Sequence, residues 1–212
     1  YKTDLITDYA VEFIEKADER GKPFFLYAAY SAPHWPLHAK PQDIARCRKI
    51  YKNIGCDRLR TKRYERLVDS GLIPESCPLP PRDHRVPPWE QAEHKTWQTE
   101  RMAVYAAQVD CMDQNIGRLL AELQRQNRVN DTLVVFLSDN GACRSEGVPF
   151  TSNWDKSGPI GSPRSFAAYG YGWANASNTP LRRYKAELHE GGIASPLIAR
   201  YPKLIRANTI NR

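Results

Sequence analysis

Long hydrophobic runs are missing from this sequence of 212 residues. Its longest apolar stretch, at residues 23–30, is far shorter than the roughly 18–20 residues that a membrane-spanning helix needs. We therefore expect no membrane span. Hydrophobic residues nevertheless make up 41% of the sequence and aromatic residues 10%, which argues against disorder. A chain of this length and composition can bury a core of its own.

Several common catalytic motifs are also absent. The sequence has no Gly-x-Ser-x-Gly nucleophile elbow, no Walker loop and no Gly-x-Gly-x-x-Gly fingerprint. Its five cysteines show no spacing typical of a zinc site, and none is marked as an activated thiolate. No nucleophile can therefore be assigned within these residues. A Cys47–Cys56 disulfide is possible, but free thiols are the favoured interpretation.

The excess of positive charge is concentrated in one segment. Residues 46–66 hold nine basic and two acidic side chains, whereas the rest of the chain holds 22 of each. The net charge of +7 is therefore a property of that segment, which argues against a protein that coats nucleic acid. The segment is either a solvated helix face or a rim that attracts anionic substrates.

Periodicity predicts helices that alternate with short strands. Apolar residues at helical spacing predict amphipathic helices at residues 4–19 and 99–126. Short apolar runs predict buried strands at residues 23–30 and 132–138 and a third short strand at residues 196–201. This order is typical of an α/β fold with a mostly parallel central sheet flanked by helices.

Three further regions lie between these elements. Residues 41–71 are predicted to be helical and basic. Residues 73–89 contain six prolines, which predicts an irregular excursion that forms a lid or rim. Residues 143–178 are rich in glycine, serine, proline and aromatics without a clear period, so we expect a long loop region.

Candidate functional side chains follow two of the predicted strands. His34 lies in a stiff, proline-rich loop directly after residues 23–30, and Asp139 and Asn140 come directly after residues 132–138. Open α/β sheets bind their ligands at the carboxyl ends of the strands. Both positions therefore suit a functional site.

These side chains could serve a cation and an anion. The oxygens of Asp139 and Asn140 suit calcium or magnesium, but each ion needs about six or more ligands, so others must come from elsewhere. His34 could hold an anion or donate a proton, and Lys185 could bind sulfate or phosphate as a point charge. Each residue also has an alternative interpretation without a functional role. Asp139 could belong to a turn, His34 could pack on Trp35, and Lys185 could simply be solvated.

Four stretches, taken together and in this order, resemble the sulfatase family of the alkaline-phosphatase-like superfamily, and bacterial arylsulfatases in particular. They are GKPFFLY at residues 21–27 with SAPHWPL at 31–37, VYAA at 104–107 with MDQNIGR at 112–118, SDNGA at 138–142, and YKA at 184–186 with EGGI at 190–193. The resemblance covers residues 1–212 and implies one incomplete α/β catalytic domain.

The resemblance also implies roles for the candidate residues. Asp139 and Asn140 match a metal-binding pair, usually for calcium, with magnesium or another divalent cation as alternatives. His34 matches a histidine that contacts the sulfate near the leaving oxygen, and Lys185 a lysine that contacts the sulfate. The family nucleophile is a formylglycine, made from Cys or Ser in a Cys/Ser-x-Pro/Ala-x-Arg motif. That motif is absent here, so the resemblance places it, with further metal ligands, before Tyr1.

The implied function is hydrolysis of a sulfate ester, with a sulfated small molecule or sulfated glycan rather than nucleic acid as the partner. The sequence looks like part of a longer protein, so residues 1–212 alone are expected to be inactive. One alternative is a phosphodiesterase or phosphonate monoester hydrolase of the same superfamily. Another is a non-catalytic homologue that binds sulfated glycan. The resemblance favours a periplasmic or secreted location over a cytoplasmic one.

Overall fold

The computed structural model of the protein describes residues 1–147 and 158–211. These residues form two compact units. Unit 1 contains Tyr1–Pro33, Gln108–Phe136 and Leu197–Arg212, and unit 2 contains His34–Ala107 and Leu137–Pro196. In the part of the chain that the structure describes, none of the helices is both long and apolar enough to cross a membrane.

Helices dominate the architecture, with one sheet of two strands. The elements are α1 (Lys2–Glu19), α2 (Pro41–Tyr51), α3 (Cys56–Asp69), α4 (Lys95–Arg125), β1 (Val134–Leu137), α5 (Gly170–Ser177), α6 (Glu190–Ile193) and β2 (Leu197–Arg200). Strands β1 and β2 pair with each other. Both predicted amphipathic helices are confirmed, as α1 and α4, and so are two of the three predicted strands.

The predicted strand at residues 23–30 is wrong. Phe25 and Tyr27 are 89% and 81% exposed, whereas Phe24 is half-buried and meets Phe13 of α1 edge-on, with ring centroids 6.2 Å apart. A strand is held by ladder hydrogen bonds to a neighbouring strand. Residues 23–30 make none to another strand within the described ranges, so the apolar run does not form a strand.

Unit 1 joins α1 to the second part of α4 through a polar seam. Its paired residues, with their contact distances, are Asp4 and Asn115 at 2.9 Å, Asp8 and Arg118 at 2.5 Å, Glu15 and Arg125 at 3.1 Å, and Asp18 and Arg128, beyond the end of α4, at 2.7 Å. The seam explains why one face of each helix is charged although the two helices pack together.

Strands β1 and β2 are both largely exposed. A continuous apolar run is typical of a buried central strand. Here Val135 and Phe136 are 46% and 40% exposed, and Leu197 and Ile198 are 59% and 64% exposed. The expectation of burial is wrong for β1, because nothing in the described residues covers it.

Unit 2 is built around a continuous hydrophobic core. Its buried members are Leu37, Ala39, Ile44, Cys47, Cys56, Val86, Met102, Ala103, Val104, Ala107, Tyr169, Trp173, Ala174 and Tyr184. Trp173 comes from α5, a helix that lies where the sequence predicts a loop. Since α5 is short and buried on most of its surface, it has no amphipathic period for sequence analysis to detect. None of the five cysteines forms a disulfide in the described residues, which agrees with the interpretation favoured over a Cys47–Cys56 disulfide.

The basic segment forms α2 and α3, which confirms its helical character, and the proline-rich excursion that follows is irregular as predicted. Polar contacts hold this excursion on α3. Tyr64 donates to the carbonyl oxygen of Cys77 at 2.7 Å, and Asp57 accepts from Arg82 at 3.0 Å and from the backbone of Trp89 at 2.9 Å. The excursion is therefore anchored through side chains rather than through secondary structure.

Candidate active site

Asp139 and Asn140 lie in a tight segment directly after β1. The hydroxyl of Ser138 donates to the carbonyl oxygen of Asn140 at 2.9 Å, and the amide nitrogen of Asn140 donates to the carbonyl oxygen of Gly141 at 2.8 Å. The Nδ2 atom of Asn140 is therefore engaged in a hydrogen bond, and the Oδ1 atom is the side-chain atom available to a ligand. The carboxylate of Asp139 is exposed and makes no hydrogen bond or ion pair within residues 1–147 and 158–211.

Asn178, at the carboxyl end of α5, connects this segment to Lys185. Its Oδ1 atom accepts from the backbone of Ala142 at 2.8 Å, and its Nδ2 atom donates to the carbonyl oxygens of Arg183 at 2.8 Å and Gly191 at 2.6 Å. The backbone of Lys185 donates in turn to the carbonyl oxygen of Ala142 at 3.0 Å. One side chain thus joins three segments, and the sequence analysis missed it.

Glycines allow these segments to approach closely. A Cβ atom on Gly141 would lie 1.8 Å from the carbonyl oxygen of Gly191, and one on Gly191 would lie 2.3 Å from that of Arg183. A Cβ atom on Gly192 would lie 2.2 Å from the carbonyl oxygen of Glu187. Only glycine fits at these positions without a backbone shift, so the glycines of EGGI serve packing at the site.

We expect Asn178→Ala to lower the free energy of unfolding by about 2–4 kcal/mol, because it leaves several half-buried backbone groups without a partner. Urea unfolding of the full-length protein that carries this segment measures the effect. Asn53→Ala, at an exposed turn, is the matched control and should change stability by less than about 0.5 kcal/mol. Equal stability of the Asn178→Ala variant and the wild type would contradict the role of Asn178.

His34 and Lys185 line the same open cleft in unit 2. The cleft has a volume of about 340 Å³, and its other lining residues are Trp35, Cys143, Arg144, Ser145 and Ala186. The two side chains come from segments about 150 residues apart in the sequence. The structure therefore brings together the two residues for which the sequence analysis predicts contact with one anionic group.

His34 is oriented by its neighbour Trp35. The two rings stack with centroids 5.9 Å apart, and Nδ1 of His34 lies 2.6 Å from the carbonyl oxygen of Trp35. Since a carbonyl oxygen can only accept, Nδ1 carries a proton and donates it to this bond. Nε2 is then the ring nitrogen that can take up or release a proton. Packing on Trp35 and a role in the cleft are thus compatible.

Charged side chains cluster around Glu187 at the border of the cleft. The carboxylate of Glu187 accepts from Arg85 at 3.1 and 3.3 Å and from Arg144 at 2.9 Å, and Arg183 lies 3.7 Å away. Burial opposes ionisation of Glu187, but the hydrogen bonds from Arg85 and Arg144 outweigh it, so the pKa of Glu187 lies below its ordinary value. Arg85 also donates hydrogen bonds to the carboxylate of Asp83. These bonds are the main reason why the pKa of Asp83 lies far below its ordinary value.

A buried arginine fixes another wall of the cleft. The side chain of Arg101 is fully buried and pairs with Glu146 at 2.9 Å. Glu146 also accepts from the backbone of Tyr171 in α5 at 2.9 Å, while the backbone of Gly170 donates to the carbonyl oxygen of Ser145 at 3.0 Å. The segment that carries Arg144 is therefore held from its carboxyl side.

Metal binding depends on more than these residues. No group of three or more His, Cys, Asp or Glu side chains that could hold a metal ion occurs in residues 1–147 and 158–211. The exposed carboxylate of Asp139 and the available Oδ1 of Asn140 fit a hard cation, because both are oxygen donors. They supply two of the six or more ligands such an ion takes, so the pair fits part of a site.

The other histidines near these segments have structural partners. Nε2 of His38 lies 2.8 Å from the carbonyl oxygen of Ser165, and Nδ1 of His189 accepts from the backbone of Glu190 at the start of α6. Neither lines the cleft.

Known proteins provide a second line of evidence. A family model described as Sulfatase matches residues 1–212. The chain is 38% identical over 208 residues to an uncharacterized sulfatase of Schizosaccharomyces pombe, and the match covers 92% of this chain and 37% of that protein. It is 34% identical over 206 residues to an arylsulfatase of Klebsiella aerogenes, and this match covers 92% of this chain and 44% of that protein. It is 33% identical over 143 residues to human N-sulphoglucosamine sulphohydrolase, and this match covers 66% of this chain and 24% of that protein.

A solved structure gives the same result for the fold. The crystal structure of Ps i-CgsB matches with a TM-score of 0.57 and 26% sequence identity, over 98% of this chain and 30% of that one. Its complex with k-i-k-neocarrahexaose matches with a TM-score of 0.56. The chain spans about two fifths of the length of the fungal and Klebsiella relatives.

Proposed function

Because the chain belongs to the sulfatase family, we propose that it is the central part of the catalytic domain of a sulfuric ester hydrolase. The observation that carries this proposal is the cleft that His34 and Lys185 share. The backbone of Lys185 donates to the carbonyl oxygen of Ala142, two residues after Asn140. This bond ties the anion-binding lysine to the candidate metal ligands.

Each residue has a distinct task in this proposal. The ammonium group of Lys185 binds an oxygen of the sulfate group and offsets its negative charge. His34 releases a proton from Nε2 to the oxygen of the departing alcohol. For this step the ring carries a proton on both nitrogens: the Nε2 proton is transferred, and the Nδ1 proton stays in its bond to the carbonyl oxygen of Trp35.

Asp139 and Asn140 would hold a divalent cation, which we propose to be calcium, together with ligands that lie outside residues 1–212. A cation bound there would polarise the sulfate group and stabilise charge on its oxygens. We propose that the nucleophile is a formylglycine, also outside these residues, since no Cys/Ser-x-Pro/Ala-x-Arg motif occurs within them. This chain's own residues therefore bind, orient and protonate rather than attack.

We further propose a saccharide that carries a sulfate group as the substrate. The complex of Ps i-CgsB with k-i-k-neocarrahexaose supports a saccharide, and similarity to human N-sulphoglucosamine sulphohydrolase supports a sulfated one.

Steady-state hydrolysis by the full-length protein tests the function. We expect 4-nitrophenyl sulfate to be hydrolysed with a kcat/KM at least about 100-fold above that for bis(4-nitrophenyl) phosphate, a difference of roughly 2.7 kcal/mol in the barrier. A preference for the diester would favour the phosphodiesterase alternative. Binding of sulfated glycan without turnover, in a protein that has no formylglycine by mass spectrometry, would favour the non-catalytic one.

A further inference from the structure

Arg144 also lines the cleft, beside His34 and Lys185, and neither the sequence motifs nor the proposed mechanism uses it. It follows the SDNGA stretch by two residues. Its side chain is 36% exposed, so it is reachable from the cleft. A side chain in this place can contact a substrate whose sulfate group lies on Lys185.

The guanidinium of Arg144 is fixed on one edge and open on the other. Its Nε atom donates to Glu187 at 2.9 Å, and its Cζ atom lies 5.3 Å from the centroid of the Tyr171 ring. The terminal Nη1 and Nη2 atoms have no hydrogen-bond partner in the described part of the chain. Since the side chain is already oriented, little conformational freedom is lost when these two donors bind a ligand.

The charge around Arg144 is not balanced. Arg85, Arg144 and Arg183 share the carboxylates of Asp83 and Glu187, and Arg85 binds both of them. The pKa values of Glu187 and Asp83 both lie below their ordinary values, so both carboxylates are ionised at neutral pH. One positive charge remains in this cluster before Lys185 is counted.

We propose that Arg144 binds a second anionic group of the substrate, separate from the sulfate ester that is cleaved. This inference rests on the proposed function. A planar guanidinium with two free donors matches the paired oxygens of a sulfate or a carboxylate. The preferred substrate is therefore a saccharide sulfate with a further sulfate or carboxylate group near the scissile ester.

Calorimetric titration of the full-length protein with sulfonates that cannot be hydrolysed tests the proposal. The probes are benzenesulfonate, the 1,3- and 1,4-benzenedisulfonates, which differ in the separation of their charges, and 3-sulfobenzoate. We expect at least one dianion to bind about 10- to 100-fold more tightly than benzenesulfonate, as charge-assisted hydrogen bonds imply. The disulfonates and sulfobenzoate distinguish a sulfate-like from a carboxylate second group.

Arg144→Gln should abolish this advantage and change the affinity for benzenesulfonate less than about threefold. Arg183→Gln is the matched control, because Arg183 lies near the same Glu187 carboxylate but does not line the cleft, and it should keep the advantage. Equal affinity of the wild type for all probes, or an advantage that survives Arg144→Gln, would overturn the proposal. Hydrolysis of 4-nitrophenyl sulfate tests the proposed function separately, since that substrate has no second anionic group.

Discussion

Asp139→Ala in the full-length protein is expected to lower kcat/KM for a sulfate ester by about 10³-fold or more. Loss of a metal ligand removes electrostatic stabilisation worth several kcal/mol in the transition state, and about 4 kcal/mol corresponds to a factor of 10³. The carboxylate of Asp139 is exposed and has no partner among the residues that the structure describes. Its removal should therefore leave the fold intact, so the loss of activity can be assigned to the cation.

Metal content and activity must be measured together. We expect the purified Asp139→Ala variant to contain less than one equivalent of calcium by mass spectrometry and to unfold at the same temperature as the wild type. Asp113→Ala, at an exposed position on α4, is the matched control and should retain both metal and activity. A fully active Asp139→Ala variant with bound calcium would show that Asp139 is not a ligand.

His34→Ala is expected to act selectively on substrates with poor leaving groups. General acid catalysis contributes about 10²- to 10⁴-fold, and its benefit is greatest where an alkoxide would otherwise depart. We therefore expect kcat for a monosaccharide sulfate to fall by this factor. The fall for 4-nitrophenyl sulfate should stay under about 10-fold, because nitrophenolate leaves readily without a proton.

This difference separates a proton donor from a residue that only binds or packs. Loss of stacking on Trp35, or of an anion contact, would slow both substrates alike. His84→Ala controls for removal of a histidine, because the His84 side chain is 79% exposed and does not line the cleft. Equal losses for both substrates in the His34→Ala variant would assign His34 to binding instead.

Much of the fold could be predicted from periodicity alone. The long stripe of α4 and the apolar runs of β1 and β2 carry their own signals, and the α/β sulfatase fold inferred from them and from the four motifs is confirmed. The exposure of β1 could not be predicted correctly, because local apolarity does not reveal what lies against a strand. Helix α5 was missed for a related reason, since burial of most of its surface removes the amphipathic pattern.

The candidate site was predictable where function depends on residue type in a motif. His34, Asp139, Asn140 and Lys185 all lie in stretches that resemble the family, and their roles stay predictions. The residues that position them have no such signal. Asn178 acts through backbone groups that lie 5, 13 and 36 residues away in the sequence, and a helix-ending asparagine was the only local clue.

The exposed sheet of unit 1 has a consequence for handling the protein. Val135 and Phe136 on β1, with Leu197 and Ile198 on β2, present apolar side chains to water, beside strand edges that have no partner among the described residues. Such surfaces recruit further strands and associate with copies of themselves. The segment expressed by itself is therefore prone to precipitate. Substitution of Phe25 or Tyr27, the most exposed aromatic residues of this unit, is a direct way to improve its solubility.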